Sequence, residues 1–174
     1  MMMKGLIFVA LVAMFSVEAK VIMNCPPSPV AQHAGCQVSV TFKNSCDSVR
    51  AEISNRVNGQ FTNPQNWHDP HNNGTYNFVV DTNQTTWELK RLTGDGKYTD
   101  LMIYTFDVSD DGNGCDVGAC SESQVFSISD YGTNFCNVHD LYCSDSGCHP
   151  LTILTYTESV GTCTEAEPSV CYQD

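Results

Sequence analysis

The fold class is decided within residues 37–59, QVSVTFKNSCDSVRAEISNRVNG. The first six residues alternate polar with apolar, and this period of two predicts a half-buried strand at 37–42. Downstream, the apolar residues recur at every fourth position, at Val49, Ile53 and Val57. This spacing predicts an amphipathic helix at about residues 47–57, which is too short to persist alone and must pack on a sheet.

The ends of this helix are indicated by the residues beside it. Ser45 or Asp47 can cap the first turn, because their side-chain oxygens accept hydrogen bonds from free backbone N–H groups. Asn58 and Gly59 form a typical C-terminal stop. The sequence therefore predicts that the helix ends at residue 57.

Outward from this unit, alternating or apolar runs bounded by turn residues predict further strands. The predicted ranges are 76–80, 86–92, 97–108, 124–128 and 151–156. The second and third flank the short loop TGDG at residues 93–96, which predicts a hairpin. The predicted fold class is α+β: a mostly antiparallel β-sheet of five or six strands with one main helix and a disulfide-stapled C-terminal third.

The N-terminus has the order of parts found in secretory signal peptides. A short basic start precedes the apolar run GLIFVALVAMFSV at residues 5–17, and small or β-branched residues precede a cut after residue 19. The run has 13 residues, fewer than the about 20 that a membrane-spanning helix needs. We predict a signal peptide at 1–19, a single disulfide-rich secreted domain at 20–174, and no transmembrane segment in the mature chain.

An even number of cysteines in an exported chain indicates disulfides, because the environment outside the cell is oxidising. No CxxC pair is present, which argues against a structural zinc site. The ten cysteines are Cys25, Cys36, Cys46, Cys115, Cys120, Cys136, Cys143, Cys148, Cys163 and Cys171.

The positions of the cysteines constrain their pairing. Three lie at or before Cys46 and seven lie at or after Cys115, so both groups are odd. If all ten pair within one chain, at least one bridge must join the groups and close a loop of about 70 residues or more. Such a bridge favours one domain over two.

The formal net charge of the chain is −12, from 8 basic and 20 acidic residues. So few cations cannot neutralise a phosphate backbone or an anionic lipid surface, and we expect neither nucleic acid nor such membranes as partners. The acidity is typical of a solvated extracellular surface. No cofactor motif is present, and we expect no cofactor.

The loop NWHDPHNNGT at residues 66–75 holds the candidates for catalysis. A turn could bring His68, Asp69 and His71 together for acid–base chemistry or metal binding. Pro70 disfavours the helix that would align the two histidines, and the metalloprotease signature HExxH is absent. We therefore predict no catalytic residues, and keep these three as the alternative.

Two sequons predict N-glycosylation, at Asn73 and Asn83. A glycan on Asn73 would mark the histidine loop as exposed. Trp67 in the same loop is interpreted as a lid on the core, with a stacking platform for a ligand as the alternative. The glycan and the lid together favour a surface turn over a catalytic loop.

The acidic turn DVSDDGNG at residues 107–114 resembles the first half of an EF-hand loop. Its twelfth position would be Gly118, where calcium needs a bidentate glutamate, so an EF-hand is excluded. A plain acidic turn is the preferred interpretation. The weak candidates for a metal site are Asp107, Asp110, Asp111 and Asp116.

Three stretches carry a resemblance to a known group of proteins. They are CSESQVFSISDYGTNFCNVHDLYC at 120–143, GDGKYTD at 94–100 and WHDPHNNGTY at 67–76. Over most of the mature chain the sequence resembles small secreted cysteine-rich proteins of algae and other protists, a group without an established activity. The resemblance implies secretion and a common fold, and assigns no catalytic residue.

Three functional hypotheses follow. The first is a non-catalytic secreted glycoprotein, a binding, cell-surface or matrix module that meets an extracellular ligand through exposed aromatics such as Trp67 and Tyr131, or associates with itself along a sheet edge. The second is a small secreted hydrolase that uses the histidine loop, with or without a metal. The third is a carrier of an apolar ligand, held between helix 47–57 and the sheet.

Overall fold

A computed structural model describes residues 24–62, 66–80 and 85–172 of the chain. The predicted signal peptide at 1–19 and the sequon asparagine Asn83 lie outside the described residues. In the described part, no helix has both the length and the apolar character needed to cross a bilayer.

Six strands form one antiparallel sheet in the order β2-β3-β4-β5-β1-β6. The strands are β1 (Gly35–Phe42), β2 (Thr75–Val80), β3 (Thr86–Leu92), β4 (Thr99–Val108), β5 (Cys115–Ser123) and β6 (Tyr156–Cys163). Buried and accessible residues alternate along β1, β3 and β4, as the period of two predicts. The predictions of an α+β fold, of strand 37–42 and of the β3–β4 hairpin are confirmed.

Two helices cover one face of this sheet. They are α1 (Cys46–Thr62) and α2 (Thr133–His139), and short 3₁₀ turns follow at Ser146–Cys148 and Pro168–Cys171. On one face of β4, Tyr104 donates a hydrogen bond to the α2 carbonyl of Val138 at 2.8 Å, and the α1 residue Arg50 lies over the ring of Phe106. Both helices therefore share a core with the same side of the sheet.

The predicted apolar stripe of α1 is buried against the sheet. Side chains from α1, the strands and Trp67 fill the space between them. The principal ones are Val49, Ile53, Val57, Trp67, Tyr76, Leu89, Met102, Tyr104 and Phe106. The structure thus places packed side chains where the carrier hypothesis requires a pocket.

All ten cysteines are paired. The bridges are Cys25–Cys120, Cys36–Cys163, Cys46–Cys115, Cys136–Cys171 and Cys143–Cys148. The first three join the N-terminal group of cysteines to the C-terminal group, as parity requires. The third fixes the start of α1 to β5.

The predicted C-terminal stop of the main helix is wrong. Helix α1 continues past Asn58 and Gly59 to Thr62. Gly59 is buried, and a Cβ atom at this position would lie 3.8 Å from the Cβ atoms of Asn66 and Trp67. Close packing of the returning chain therefore outweighs the about 1 kcal/mol that an interior glycine costs a helix.

Three predictions for the C-terminal third are also wrong. Residues 124–128 form bends and coil, and most of 151–156 precedes the strand, because β6 begins at Tyr156. Residues 115–123, which lie outside the predicted strands, form the central strand β5, which is buried along almost its whole length. Its small residues Gly118 and Ala119 carry no alternating pattern, although they allow close packing on both faces.

A buried ion pair anchors the C-terminal loops to α1. Arg56 donates to Glu52 at 2.7 Å, and both side chains are buried. The same guanidinium donates to the carbonyl oxygens of Asp140 and Cys143 at 2.8 and 2.7 Å. One arginine thereby orients the chain that follows α2.

Candidate functional site

A cleft with a volume of about 660 Å³ opens at the end of the sheet where β3 turns into β4. One wall is the hairpin turn at residues 93–98, and the other is the loop at residues 125–131 that connects β5 to α2. Asp100 and Ser123, opposite each other in the pairing of β4 with β5, lie at its base. Asn72 and Thr133 complete the lining.

Four large apolar side chains on the two walls are exposed to solvent, and together they form the apolar rim of the cleft. Their exposed fractions are 51% for Tyr98, 62% for Phe126, 68% for Ile128 and 81% for Tyr131. Contiguous exposed apolar side chains around a concavity are typical of binding sites.

Beneath the rim lies a hydrogen-bonded group of six side chains, called the polar floor below. Its members are Asp100, Ser121, Ser123, Asp130, Asn134 and Asn137. Ser123 donates to one oxygen of Asp100 at 2.9 Å, and Asn137 donates to the other at 2.8 Å. Because such a network fixes the orientation of each member, the base of the cleft is rigid.

Asp130 connects the polar floor to the wall. One of its oxygens accepts hydrogen bonds from the backbone and side-chain nitrogens of Asn134, at 2.8 and 2.7 Å. The other oxygen is buried, and no described group donates to it. Burial raises the pKa of this carboxyl and the nearby Glu165 and Asp100 add to the rise, while the bonds from Asn134 only partly oppose it.

The loop next to Asp130 has an unusual backbone. Tyr131 and Gly132 both have positive φ angles, of 54° and 78°. A bulky residue rarely adopts this left-handed conformation, and such positions cluster at functional sites. At Gly132 a larger residue would also meet the side chain of Val170. With the backbone of both residues in this conformation, the side chain of Tyr131 is exposed to solvent.

The structure gives the three residues of the histidine loop separate partners. Asp69 is buried, where it accepts hydrogen bonds from Arg91 at 2.5 Å and from the Gly74 backbone N–H at 2.6 Å. The ring of His71 bonds to the carbonyl oxygen of Val170 and to Thr133, at 2.9 and 3.1 Å.

The ring of His68 lies against the ring of His149, with centroids 5.3 Å apart. Burial lowers the pKa of His71 and so favours its neutral form. Asp69, the third candidate, is the counterion of the buried Arg91.

The weak candidates for a metal site do not form a group of converging ligands in the described part of the chain. Within the described residues, two groups of three potential ligands bring their atoms within 4.8 Å of one another: His139 with Cys143 and Cys148, and Asp140 with Cys136 and Cys171. The cysteines in both groups are disulfide-bonded, so they offer no thiolate.

The four candidate aspartates belong to neither group. Asp107, Asp110 and Asp111 are exposed, and Asp111 accepts a hydrogen bond from the Asn113 backbone N–H at 2.9 Å. Asp116 accepts one from Thr41 at 2.8 Å. The contact of Asp111 is typical of an acidic turn, and that of Asp116 is a side-chain contact between neighbouring strands.

Trp67 is buried, and its indole N–H donates to the carbonyl oxygen of Cys148 at 3.1 Å. It is a lid on the core, and it is too deeply buried to serve as the stacking platform. Tyr131, the other aromatic candidate, stands on the cleft.

A second cluster of titratable side chains joins α2 to the edge strand β6. His139 bonds to Glu158 at 2.8 Å and to the hydroxyl of Tyr172 at 3.0 Å, and Tyr142 donates to Glu158 at 2.6 Å. Burial alone raises the pKa of Glu158, but His139 and Tyr142 outweigh it, so the net pKa is below its ordinary value. His139 is buried, and the cluster is structural.

No protein-family model matches this chain, and no curated protein sequence matches it.

Asp69→Asn is expected to lower the free energy of unfolding by about 3–5 kcal/mol, because it leaves the buried Arg91 without its counterion. Asp47→Asn, which removes an exposed carboxylate paired with Arg50, should cost less than about 1 kcal/mol. Urea denaturation measures both changes. Equal effects of the two variants would contradict the structural role of Asp69.

Glu158→Gln is expected to lower the free energy of unfolding by about 1.5–3 kcal/mol at neutral pH, because hydrogen bonds to a charged group are lost. The folded pKa of Glu158 lies below the ordinary value of 4.5. The stabilisation is therefore fully present above pH 4.5 and is lost as the pH falls through the folded pKa.

Denaturation of the wild type and the variant from pH 7 to pH 3 tests this dependence. Glu167→Gln, whose exposed side chain bonds only locally to Ser169, is the matched control. A difference between wild type and Glu158→Gln that grows with acidification would contradict the assignment.

Proposed function

We propose that this protein is a non-catalytic extracellular binding module whose ligand lies in the cleft between residues 93–98 and 125–131. The proposal rests on one observation: the apolar rim lies directly above the polar floor. Exposed aromatic and aliphatic side chains offer contact area, and the fixed polar groups beneath them offer orientation.

Both walls of the cleft are held by hydrogen bonds, which supports a preformed site. In the hairpin turn, Thr93 accepts from the Gly96 N–H and donates its own N–H to Tyr98, at 2.8 and 3.0 Å. In the opposite wall, Ser127 accepts from the Ala34 N–H at 2.7 Å and donates its N–H to Gln32 at 3.3 Å. A preorganised site binds with less loss of conformational entropy.

An extracellular location is supported by the disulfides. Five bridges in a chain of 174 residues are typical of small stable proteins outside the cell, since reducing compartments oppose them. A strongly acidic surface favours solubility there.

The non-catalytic assignment is supported by the chemistry of the lining. The described residues that line the cleft include three aspartates and no histidine, cysteine, lysine or arginine. Both oxygens of Asp100 already accept hydrogen bonds. The hydrolase alternative has less support, because Asp69 is bound to Arg91 and away from solvent. The apolar-carrier alternative has less support because side chains fill the space between α1 and the sheet.

We expect an N-glycan at Asn73, which is exposed in a turn with a φ of 55°. Mass spectrometry of the protein expressed in a secreting eukaryotic host, before and after glycosidase treatment, measures it. Thr75→Val removes the sequon and leaves Asn73 in place, so it should abolish the part of the mass shift that maps to the peptide containing Asn73. An unmodified Asn73 in the wild type would contradict this expectation.

The cleft is tested with Nile red, a neutral apolar dye whose fluorescence rises in apolar sites. Ile128→Ser should weaken dye binding by roughly fivefold, because it removes an apolar side chain worth about 1 kcal/mol of contact. Ile153→Ser is the matched control, because Ile153 is 65% exposed against 68% for Ile128 and lies outside the cleft. Equal effects of the two variants, or no effect of either, would contradict binding at the cleft.

A further inference from the structure

The charges around the cleft point to its ligand class: we infer that it binds a small organic cation with an aromatic or alkyl body. This inference rests on the proposed function, since it names the ligand of the same cleft. Its support comes from the excess of negative charge, from the partners of the buried carboxylates and from the aromatic faces on the rim.

The titratable side chains at the cleft are mostly acidic. Three line it directly, namely Asp95, Asp100 and Asp130, and Glu165 reaches its wall by accepting a hydrogen bond from Ser129 at 2.6 Å.

Two basic side chains lie next to these acidic groups. Lys97 pairs with Asp95 at 2.8 Å, and both side chains are exposed. Arg91 lies across from Asp100 in the strand pairing but donates its hydrogen bonds to Asp69 and Asn72. His71, which bonds to Thr133 of the lining, has a pKa lowered by burial and is counted as neutral. Counting Asp69, five acidic and two charged basic groups leave a local charge of −3.

The inner carboxylates have neutral donors as their hydrogen-bond partners. Asp100 is held by Ser123 and Asn137, and Asp130 by Asn134. In the described part of the chain, neither forms an ion pair. Charges in such partly desolvated places interact strongly with an opposite charge, because little solvent screens them. A ligand cation near Asp130 would supply the positive charge that the protein does not.

The rim suits the same ligand. Tyr98, Phe126 and Tyr131 present exposed aromatic rings, and a cation is attracted to the negative face of such a ring. The apolar body of the ligand would bury part of these rings. A volume of about 660 Å³ is within the range of about 300–1,000 Å³ for small-molecule sites. An anion of the same shape would be repelled by every inner carboxylate.

The experiment compares three probes of one shape: phenethylamine, 2-phenylethanol and phenylacetate, which are cationic, neutral and anionic at pH 7. Each is titrated into the ¹⁵N-labelled protein at low salt, and amide shifts at residues 93–100 and 123–133 report binding at the cleft. The amine should bind about tenfold more tightly than the alcohol, which corresponds to about 1.4 kcal/mol. The acid should give no shifts at these residues.

Charge-removing variants test whether the carboxylates are responsible. Asp130→Asn keeps an acceptor for Asn134 and should reduce the preference for the amine over the alcohol by about tenfold. Glu165→Gln removes the charge of an exposed residue and should reduce the preference for the amine less than Asp130→Asn does. It replaces Asp130→Asn as the test if Asp130→Asn does not fold. Asp110→Asn removes the same charge beyond the opposite end of β4 and should leave the preference unchanged.

The outcomes separate this inference from the proposed function. The ligand class is wrong, while the cleft remains a binding site, if the three probes shift the cleft residues with equal affinity. It is also wrong if the preference for the amine is undiminished in Asp130→Asn, or in Glu165→Gln where Asp130→Asn does not fold. If no probe shifts these residues and Nile red binding is insensitive to Ile128→Ser, the proposed function is itself wrong.

Discussion

The rest of the structure depends on the insertion of β1 between β5 and β6. A strand from the start of the described chain lies between two strands that follow β2, β3 and β4, so its hydrogen bonds join the most distant parts of the chain. Three disulfides hold this arrangement, with sequence separations of 95, 127 and 69 residues. In the chain-entropy model, each closes a loop worth about 4–5 kcal/mol. Covalent bridges thus offset the entropy that such long-range pairing costs.

A frame held in this way can accommodate an unusually polar interior. Arg56 and Arg91 are both fully buried, each with a carboxylate partner. Buried ion pairs contribute little net stability compared with apolar packing, because both charges lose their hydration. They do fix geometry: Arg56 orients the loop after α2, and Arg91 orients the loop that carries Asn72 to the cleft. The polar floor extends the same arrangement to the base of the site.

The sequence predicted the elements whose side chains alternate against one solvated face. Strand β1, the β3–β4 hairpin and the apolar stripe of α1 follow from periods of two and about four, and parity required the long bridges. Strand β5 was missed because burial on both faces removes the alternation, and because its residues are small. Helix α2 was missed because seven residues carry less than two full periods. In both cases tertiary packing, invisible in a local window, determines the element.

The cleft could not be predicted for a related reason: its two walls come from segments about 30 residues apart, and its floor forms only when β4 pairs with β5. The structure itself, however, marks one wall of the cleft. Residues 126–131 combine three exposed apolar side chains, the left-handed backbone conformation of Tyr131 and the partly buried carboxyl group of Asp130. Each feature costs folding stability, and the disulfide-held frame tolerates them together. Departures from the rules of stable folding that gather in one short loop are typical of functional sites. The proposed binding function therefore depends on the loop at 125–131 more than on any element of the core.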